Sequence, residues 1–466
     1  MDSHKHAQNI SVRSFLSAII IIFLLMVAAY LLALTVPGGV YARVINSDGN
    51  SVIDTAAGFT YTNGGISFGK WLLSPILVLG SSGNGTLIAV IAFLLVIGGI
   101  FNSLDKCGLM KYILNKTATT FRTVRYRLMA VVTFFFMAMG SMIGSFEECV
   151  PLVPLVVTLS VNLGWDACTG IGMSLLAAGC GFAAGVCNPF TVGVAQQLAG
   201  LPMFSGIWLR LLSFCLIYLL LLLFLRLHAR KIEKPLHSVN ASLSFEQNPK
   251  MYRGMVAFVS ILGAGIALVL SSAFIPSLQD LTMIIVAVMF LIAGITAVLL
   301  CGVKPAQLGL GFWEGLVSIF PAVVMILMAS SIKYTLEEAK VLDTILHGAV
   351  ELAQSLPSWA VVLFIYLIVL VMNFFIPSGS AKAFMLIPLI VPMAQIFGIS
   401  AQLCVVAFAF GDGFSNVFYP TNPALLIALG LADVNYGDWF KWSSRFQFAN
   451  ILLTGVILLF GLAVGY

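Results

Sequence analysis

The chain has 466 residues, 60% of them apolar and only 9% charged, a balance that excludes a water-soluble globular domain and places most of the chain in lipid. Its net charge of +5 comes from Lys and Arg in loops, the habit of the cytoplasmic side of a membrane protein and not the patch of a nucleic-acid binder. The eight cysteines lie in or beside apolar spans without metal-ligand spacing, so neither a disulfide framework nor a metal centre is expected.

The first apolar stretch, Phe15 to Val36, ends in Pro37-Gly38-Gly39 without a small-residue cleavage site, and reads as a retained span with its N-terminus cytoplasmic. Leu87 to Leu104 is a second full-length span. The loop after it carries Lys106, Lys111, Lys116, Arg122, Arg125 and Arg127 against Asp105, which marks it as cytoplasmic. Leu128 to Leu201 is apolar but interrupted by Pro, Gly, Ser and Asn, and such breaks survive at membrane depth only inside protein or beside a cavity.

Beyond the span Gly206 to Leu225 comes a basic linker, Arg226 to Arg253, followed by the spans Met255 to Ile275, Met283 to Leu300 and Gly315 to Ile332. The next loop is acidic, with Glu337, Glu338, Asp343 and Glu351 against Lys333 and Lys340, and reads as exterior. A second interrupted region, Trp359 to Leu431, precedes the last span, Ile451 to Val464. Threaded this way, about 17 of the 23 Lys and Arg fall inside and Tyr466 outside.

The two interrupted regions repeat each other. At an offset of 234, Pro154 matches Pro388, Gly164 matches Gly398, Gly179 matches Gly413, and Asn188-Pro189 matches Asn422-Pro423. With opposite loop charges before them, the copies are expected to be inverted, the recurrent plan of secondary transporters. The expected fold is therefore an all-α polytopic membrane protein with two re-entrant hairpins and two broken helices. Residues 1–225 form the first repeat (hairpin about 128–160, broken helix about 166–200). Residues 226–280 hold the linker and an extra span, and 281–466 the second repeat (hairpin about 358–395, broken helix about 400–432).

Chemistry is expected at the tips and breaks. The first tip is Gly144-Ser145-Phe146-Glu147-Glu148; the second is Pro377-Ser378-Gly379-Ser380-Ala381-Lys382. A half-helix N-terminus leaves N–H groups free and attracts anions. Glu147 reads either as a cap or as a coupling-ion ligand, with Ser145 beside it. The repeat sets Glu148 opposite Lys382, whose cation opposes the helix dipole and needs an anionic partner, either Glu148 or a substrate carboxylate. Lys382 snorkelling to the surface is the alternative.

At the breaks, Asn188, Asn422 and Thr421 can hold a cation or a substrate ammonium with freed carbonyls, or the prolines merely kink the helices. Asp412, Ser415 and Asn416 lie on the span entering the second break, and a carboxylate there needs a partner or a role. Asp166 can simply start a helix. The five histidines lie outside both interrupted regions and the glycine-rich stretch Gly179 to Gly185 lacks Gly-Lys-Ser/Thr, so neither an enzyme nor an ATPase is expected.

Glu147-Glu148, Asn188-Pro189-Phe190, Pro377-Ser378-Gly379-Ser380, Phe410-Gly411-Asp412-Gly413-Phe414-Ser415-Asn416 and Pro420-Thr421-Asn422-Pro423 together resemble the anaerobic C4-dicarboxylate carrier family. Nearest is its branch labelled as basic amino acid antiporters, within the ion transporter superfamily of elevator-type carriers. The resemblance covers nearly the whole chain. It implies a scaffold around a mobile transport domain, a homodimer in the cell membrane, and a small-molecule substrate. Ala381, where many relatives carry glycine, and Cys187 beside Asn188 depart from the pattern. Related carriers bind sodium at Ser-Asn-Thr-like tips, whereas this tip reads Gly-Ser-Phe-Glu-Glu, so the coupling ion, Na+ or H+, stays open.

An amino acid carrier would receive the carboxylate on Ser378, Gly379, Ser380 and Lys382 and the cationic end on Glu148 and Asp412. A dicarboxylate carrier would use Lys382 and both tips for carboxylates and the acids for coupling cations. A channel or a sensor lacks its expected polar lining or soluble domain.

Overall fold

The computed structural model describes residues 12–45, 51–54, 58–81, 85–110, 112–113, 116, 124–144, 146–202, 204–233, 248–271, 282–353 and 355–466. Among them, seven helices are long and apolar enough to cross a membrane. Leu24, Val131, Leu219, Val317 and Val456 face outward, while Asn188, Arg210, Lys382, Asp412 and Asn450 are fully enclosed. Apolar outside and polar inside is the arrangement a lipid solvent imposes. The chain is a helical, polytopic membrane protein.

The uninterrupted apolar runs form one group of helices. Val12–Thr35 and Gly85–Lys106 both pack against the long Pro305–Glu338, and Pro249–Ser271 packs against Thr282–Leu300, which itself touches Gly85–Lys106. Gly315 makes the crossing of Gly85–Lys106 and Pro305–Glu338 close: a Cβ there would stand 2.3 Å from the Gly98 carbonyl oxygen. Lipid gives helices no hydrophobic reason to associate, so intimate packing over small residues has to supply the attraction.

One departure from the all-α expectation follows the first span. Pro37 and Gly38 stop the helix, and Gly39–Tyr41 pairs antiparallel with Phe59–Tyr61 while Arg43–Ile45 pairs with Ser51–Ile53. This ribbon docks on the amphipathic helix Val341–Ala353. Asp343 accepts the Tyr41 N–H at 3.0 Å and pairs with Arg43 at 2.8 Å, and His347 stacks on Phe59 with ring centroids 4.0 Å apart. Strands of only three residues each are too short for an alternating pattern to register in the sequence.

The interrupted regions form the second group. Arg125–Ile143 runs into the left-handed Gly144, and the chain returns through a 3₁₀ turn, Glu147–Leu152, and the helix Val153–Asn162. A helix over Ala167–Ala184 follows, broken at the left-handed Gly185 and resumed through the π turn Pro189–Gly193 and Val194–Leu198. The second region has Ser358–Phe375 and Gly379–Ile396 as its two arms, then Ala401–Asn416 and Pro423–Leu431 on either side of a break. Ala167 and Ala401, Asn162 and Ile396, and Pro189 and Pro423 mark corresponding helix ends, each pair 234 residues apart. Each region leads into a closing helix, Ile207–Ile232 and Tyr436–Ala463.

Glycines let these helices meet backbone to backbone. A Cβ on Gly181 would lie 1.8 Å from the Met137 carbonyl oxygen, and one on Gly413 would lie 2.4 Å from Ala183 Cα. Gly181→Leu is therefore expected to overpack the first hairpin against its broken helix at a cost of at least about 1–3 kcal/mol. Gly263→Leu, where a Cβ meets nothing within 4 Å, is expected to be tolerated. The thermal midpoints of the two purified variants check the contrast.

Candidate functional site

The first break is held by its own hairpin. Ser141, near the end of Arg125–Ile143, accepts the Val186 N–H on its Oγ at 3.0 Å and the Cys187 N–H on its carbonyl at 3.1 Å. Two N–H groups freed by the break thus find partners inside the protein, as a break at membrane depth requires. Asn188, fully buried, donates to Thr191 Oγ1 at 2.8 Å, accepts the Thr191 N–H at 3.3 Å, and its carbonyl accepts Gly193 N–H across the π turn at 3.0 Å. Glu148 is buried at 9% exposure and Glu147 is half-buried, both in the turn that reopens the helix. Ser145 lies outside the described residues.

The second copy is built differently. Ser378 N-caps its half-helix, with its Oγ facing the Ala381 N–H at 3.5 Å, while Gly379 and Ser380 open the first turn, half-buried. Lys382, one turn in, does not snorkel; its side chain is fully enclosed and so is that of Asp412, 2.5 Å away. The ammonium also donates to Asn373 Oδ1 and to the Ile376 carbonyl at 2.8 Å. Lysine has three donors, and all three therefore meet protein oxygens. The expected partner of Lys382 was Glu148 or a substrate carboxylate; the structure gives it Asp412, from the same copy, because the broken helix Ala401–Asn416 packs on both arms of its own hairpin.

Asn373 organises the rest. Its amide nitrogen lies 2.6 Å from Ser415 Oγ, 2.9 Å from Asn416 Oδ1 and 3.1 Å from the Asp412 carbonyl. Asn416 Oδ1 also accepts from Asn422 Nδ2 at 3.1 Å, and Asn422 Oδ1 caps Pro423–Leu431 by accepting the Ala424 and Leu425 N–H groups. Thr421 Oγ1 is buried with no hydrogen-bond partner, and neither carboxylate oxygen of Asp412 has a well-aligned hydrogen bond. The short Lys382–Asp412 separation is thus an ion pair first, and Asp412 Oδ2 points elsewhere.

It points toward the tip. A Cβ on Gly379 would stand 2.6 Å from Asp412 Oδ2 and 3.3 Å from Thr191 Cγ2, so the second tip touches the first break. The exchange is reciprocal: the turn Glu147–Leu152 of the first tip packs on Pro423–Leu431 beyond the second break. Gly179 completes the junction, with Val417 Cγ1 2.4 Å and Phe146 Cε2 3.5 Å from where its Cβ would be. Both tips and both breaks therefore meet at one place, with Glu147 within electrostatic reach of Asp412.

Asp166 N-caps its helix by accepting the Thr169 N–H at 2.8 Å and pairs with His228 at 2.9 Å, a structural role away from the junction. Two residues that the pattern did not single out matter here. Asn373 sits at the end of the apolar run Ile365 to Met372 and gave no signal beyond being polar there. Arg210, a fully buried cation inside Ile207–Ile232, donates to the Val186 carbonyl at 3.4 Å and to that of Phe204 at 3.1 Å; an arginine four residues into a span is the kind of signal that finds it.

A polytopic helical protein whose polar groups converge on two helix breaks has the make-up of a membrane transporter. The family model described as C4-dicarboxylate anaerobic carrier, DcuC, matches residues 15–464, and the chain belongs to that family. It is a secondary transporter and not an enzyme. Over 406 residues, 82% of this chain and 79% of the relative, it is 29% identical to a protein of Escherichia coli K12 named "Putative basic amino acid antiporter YfcC". An uncharacterised protein of Haemophilus influenzae is 23% identical over 388 residues, 81% of this chain and 76% of that protein. Among solved structures, the Alcanivorax borkumensis YdaH transporter aligns with a TM-score of 0.45 and 18% identity over 97% of this chain and 99% of that one. Neisseria gonorrhoeae MtrF, described as an antimetabolite efflux pump, aligns with 0.45 and 17% over 97% and 96%.

Proposed function

We propose that this transporter carries amino acids with a cationic side chain, by exchange or uptake, and that the junction of tips and breaks is its substrate site. The observation that carries the reading is the charge balance there. Glu147, Glu148 and Asp412 bring three acids against two cations, Lys382 and the Arg210 that bonds the first break, and the ammonium of Lys382 already meets three protein oxygens. A pocket whose buried acids outnumber its buried cations suits a positively charged substrate. The name of the Escherichia coli relative agrees with it.

In this reading the substrate carboxylate rests on the half-helix N-terminus at Ser378, Gly379 and Ser380, where free N–H groups and the dipole favour an anion. Its cationic end faces Glu148 and the Oδ2 oxygen of Asp412. Asn188 and Asn422 contact the substrate from the breaks, and Ser145, Glu147, Thr421, Ser415 and Asn416 are the positions for a coupling ion. The two copies act as inverted repeats with re-entrant hairpins, the N-terminus cytoplasmic and Tyr466 exterior, in a homodimer. The matched helix ends 234 residues apart and the opposite loop charges support that arrangement.

A second reading, a dicarboxylate carrier, is favoured by the description of the family. Counterflow in proteoliposomes separates the two. With unlabelled arginine, ornithine or succinate inside, accumulation of the matching labelled compound is expected for arginine or ornithine alone, and Glu148→Gln is expected to abolish it. Accumulation of succinate alone, or full arginine exchange by Glu148→Gln, would refute the cationic reading.

A further inference from the structure

The Lys382 ammonium is surrounded by oxygens of the kind that also ligate small metal cations. Its neighbours are one carboxylate oxygen of Asp412, one amide oxygen of Asn373 and one peptide carbonyl, that of Ile376, freed where the helix Ser358–Phe375 ends. All are hard oxygen donors, all are shut off from the surface, and they come from two elements, the arm Ser358–Phe375 with its C-cap and the broken helix Ala401–Asn416, while the other arm brings Lys382. A small alkali cation and an ammonium ask for the same surroundings: a charge to offset and several oxygen lone pairs to replace water.

We propose that Lys382 is a tethered coupling cation: its ammonium fills, in the second copy, an oxygen cage that would otherwise hold a sodium ion, so that this half of the site works without sodium. The proposal rests on the reading of the junction as the transport site, and it adds the identity of the cation there. It explains a difference between the copies. The residue equivalent to Lys382 in the first copy is Glu148, so the first copy presents an anion where the second brings its own cation. It also explains why a lysine occupies a first helical turn, against the dipole: the carboxylate of Asp412 and the Ile376 carbonyl offset that cost. A resident neutral pair needs no ion from either side of the membrane, and the second half of the site then keeps the same charge whichever side it faces.

The test needs no transported substrate, so its outcome is independent of the counterflow result. The thermal midpoint of the purified full-length protein is measured in sodium, potassium and choline chloride at equal ionic strength. The unaltered chain gives the baseline response, including any sodium effect of the first copy, and the variant is read against it. Lys382→Ala, which empties the cage but leaves its oxygens, is expected to be less stable in choline and to regain on the order of 2–5 °C with sodium in a saturable manner. Adding Asp412→Asn to it should remove the response. Equal midpoints of Lys382→Ala in sodium and choline would overturn the proposal. If Lys382→Ala does not fold, binding of radioactive sodium to the unaltered chain decides: saturable binding that Asn373→Ala removes overturns it, and no binding sensitive to that change upholds it.

Discussion

Asp412→Asn is expected to be the most damaging single change in the molecule. It removes the one acid that Lys382 touches among the described residues and leaves a fully enclosed ammonium with two neutral oxygens. Breaking a buried ion pair from one side costs about 3–5 kcal/mol, whereas replacing both partners with apolar groups is often nearly neutral. The single variant should therefore melt well below the unaltered protein, and Asp412→Asn with Lys382→Met should recover most of the loss. Transport should be absent from both. A single variant as stable as the parent would show that the pair does not hold the second hairpin to its broken helix.

Gly379→Ala is expected to impair transport with far less effect on stability. The added methyl would stand 2.6 Å from Asp412 Oδ2 and 3.3 Å from Thr191 Cγ2, so the carboxylate oxygen facing the tip has to move. Overpacking of this kind costs about 1–3 kcal/mol, equivalent to roughly a 5- to 150-fold loss if it falls on binding. The check is the KM for counterflow alongside the melting temperature. An unchanged KM would separate the tip from the substrate site.

Much of this arrangement can be read from single residues. The breaks at Asn188-Pro189 and Asn422-Pro423 announce themselves because proline and asparagine are so costly in lipid-facing helix, and their equal spacing pairs the two copies without any structure. The tips show for the same reason: Glu147-Glu148 and Ser378-Gly379-Ser380 interrupt otherwise apolar runs. What the pattern does not contain is contact. Aligning the copies makes Glu148 and Lys382 equivalent, but equivalence under a repeat relates places in two separate hairpins. The partner of Lys382 is set by which helix lies against it, and that helix belongs to the same copy. Asn373 is hidden for a related reason. Its importance comes from four groups gathered around it, three of them about forty residues further along the chain, and nothing local marks it out. The ribbon on Val341–Ala353 escapes because its strands are three residues long.

That ribbon also sets a timetable for synthesis. Tyr41 and Arg43 are fastened to Asp343, and Tyr41 to His347, across 302, 300 and 306 residues of chain. A ribosome moving at about 5–20 residues per second needs roughly 15–60 s to cover that distance. For that time the paired strands emerge with their docking helix not yet made, and their outer edges remain open to other chains. A segment made early is thus secured late: the helix Val341–Ala353 must be complete before the ribbon can dock on it, and the arm Gly379–Ile396 that also contacts the ribbon comes later still.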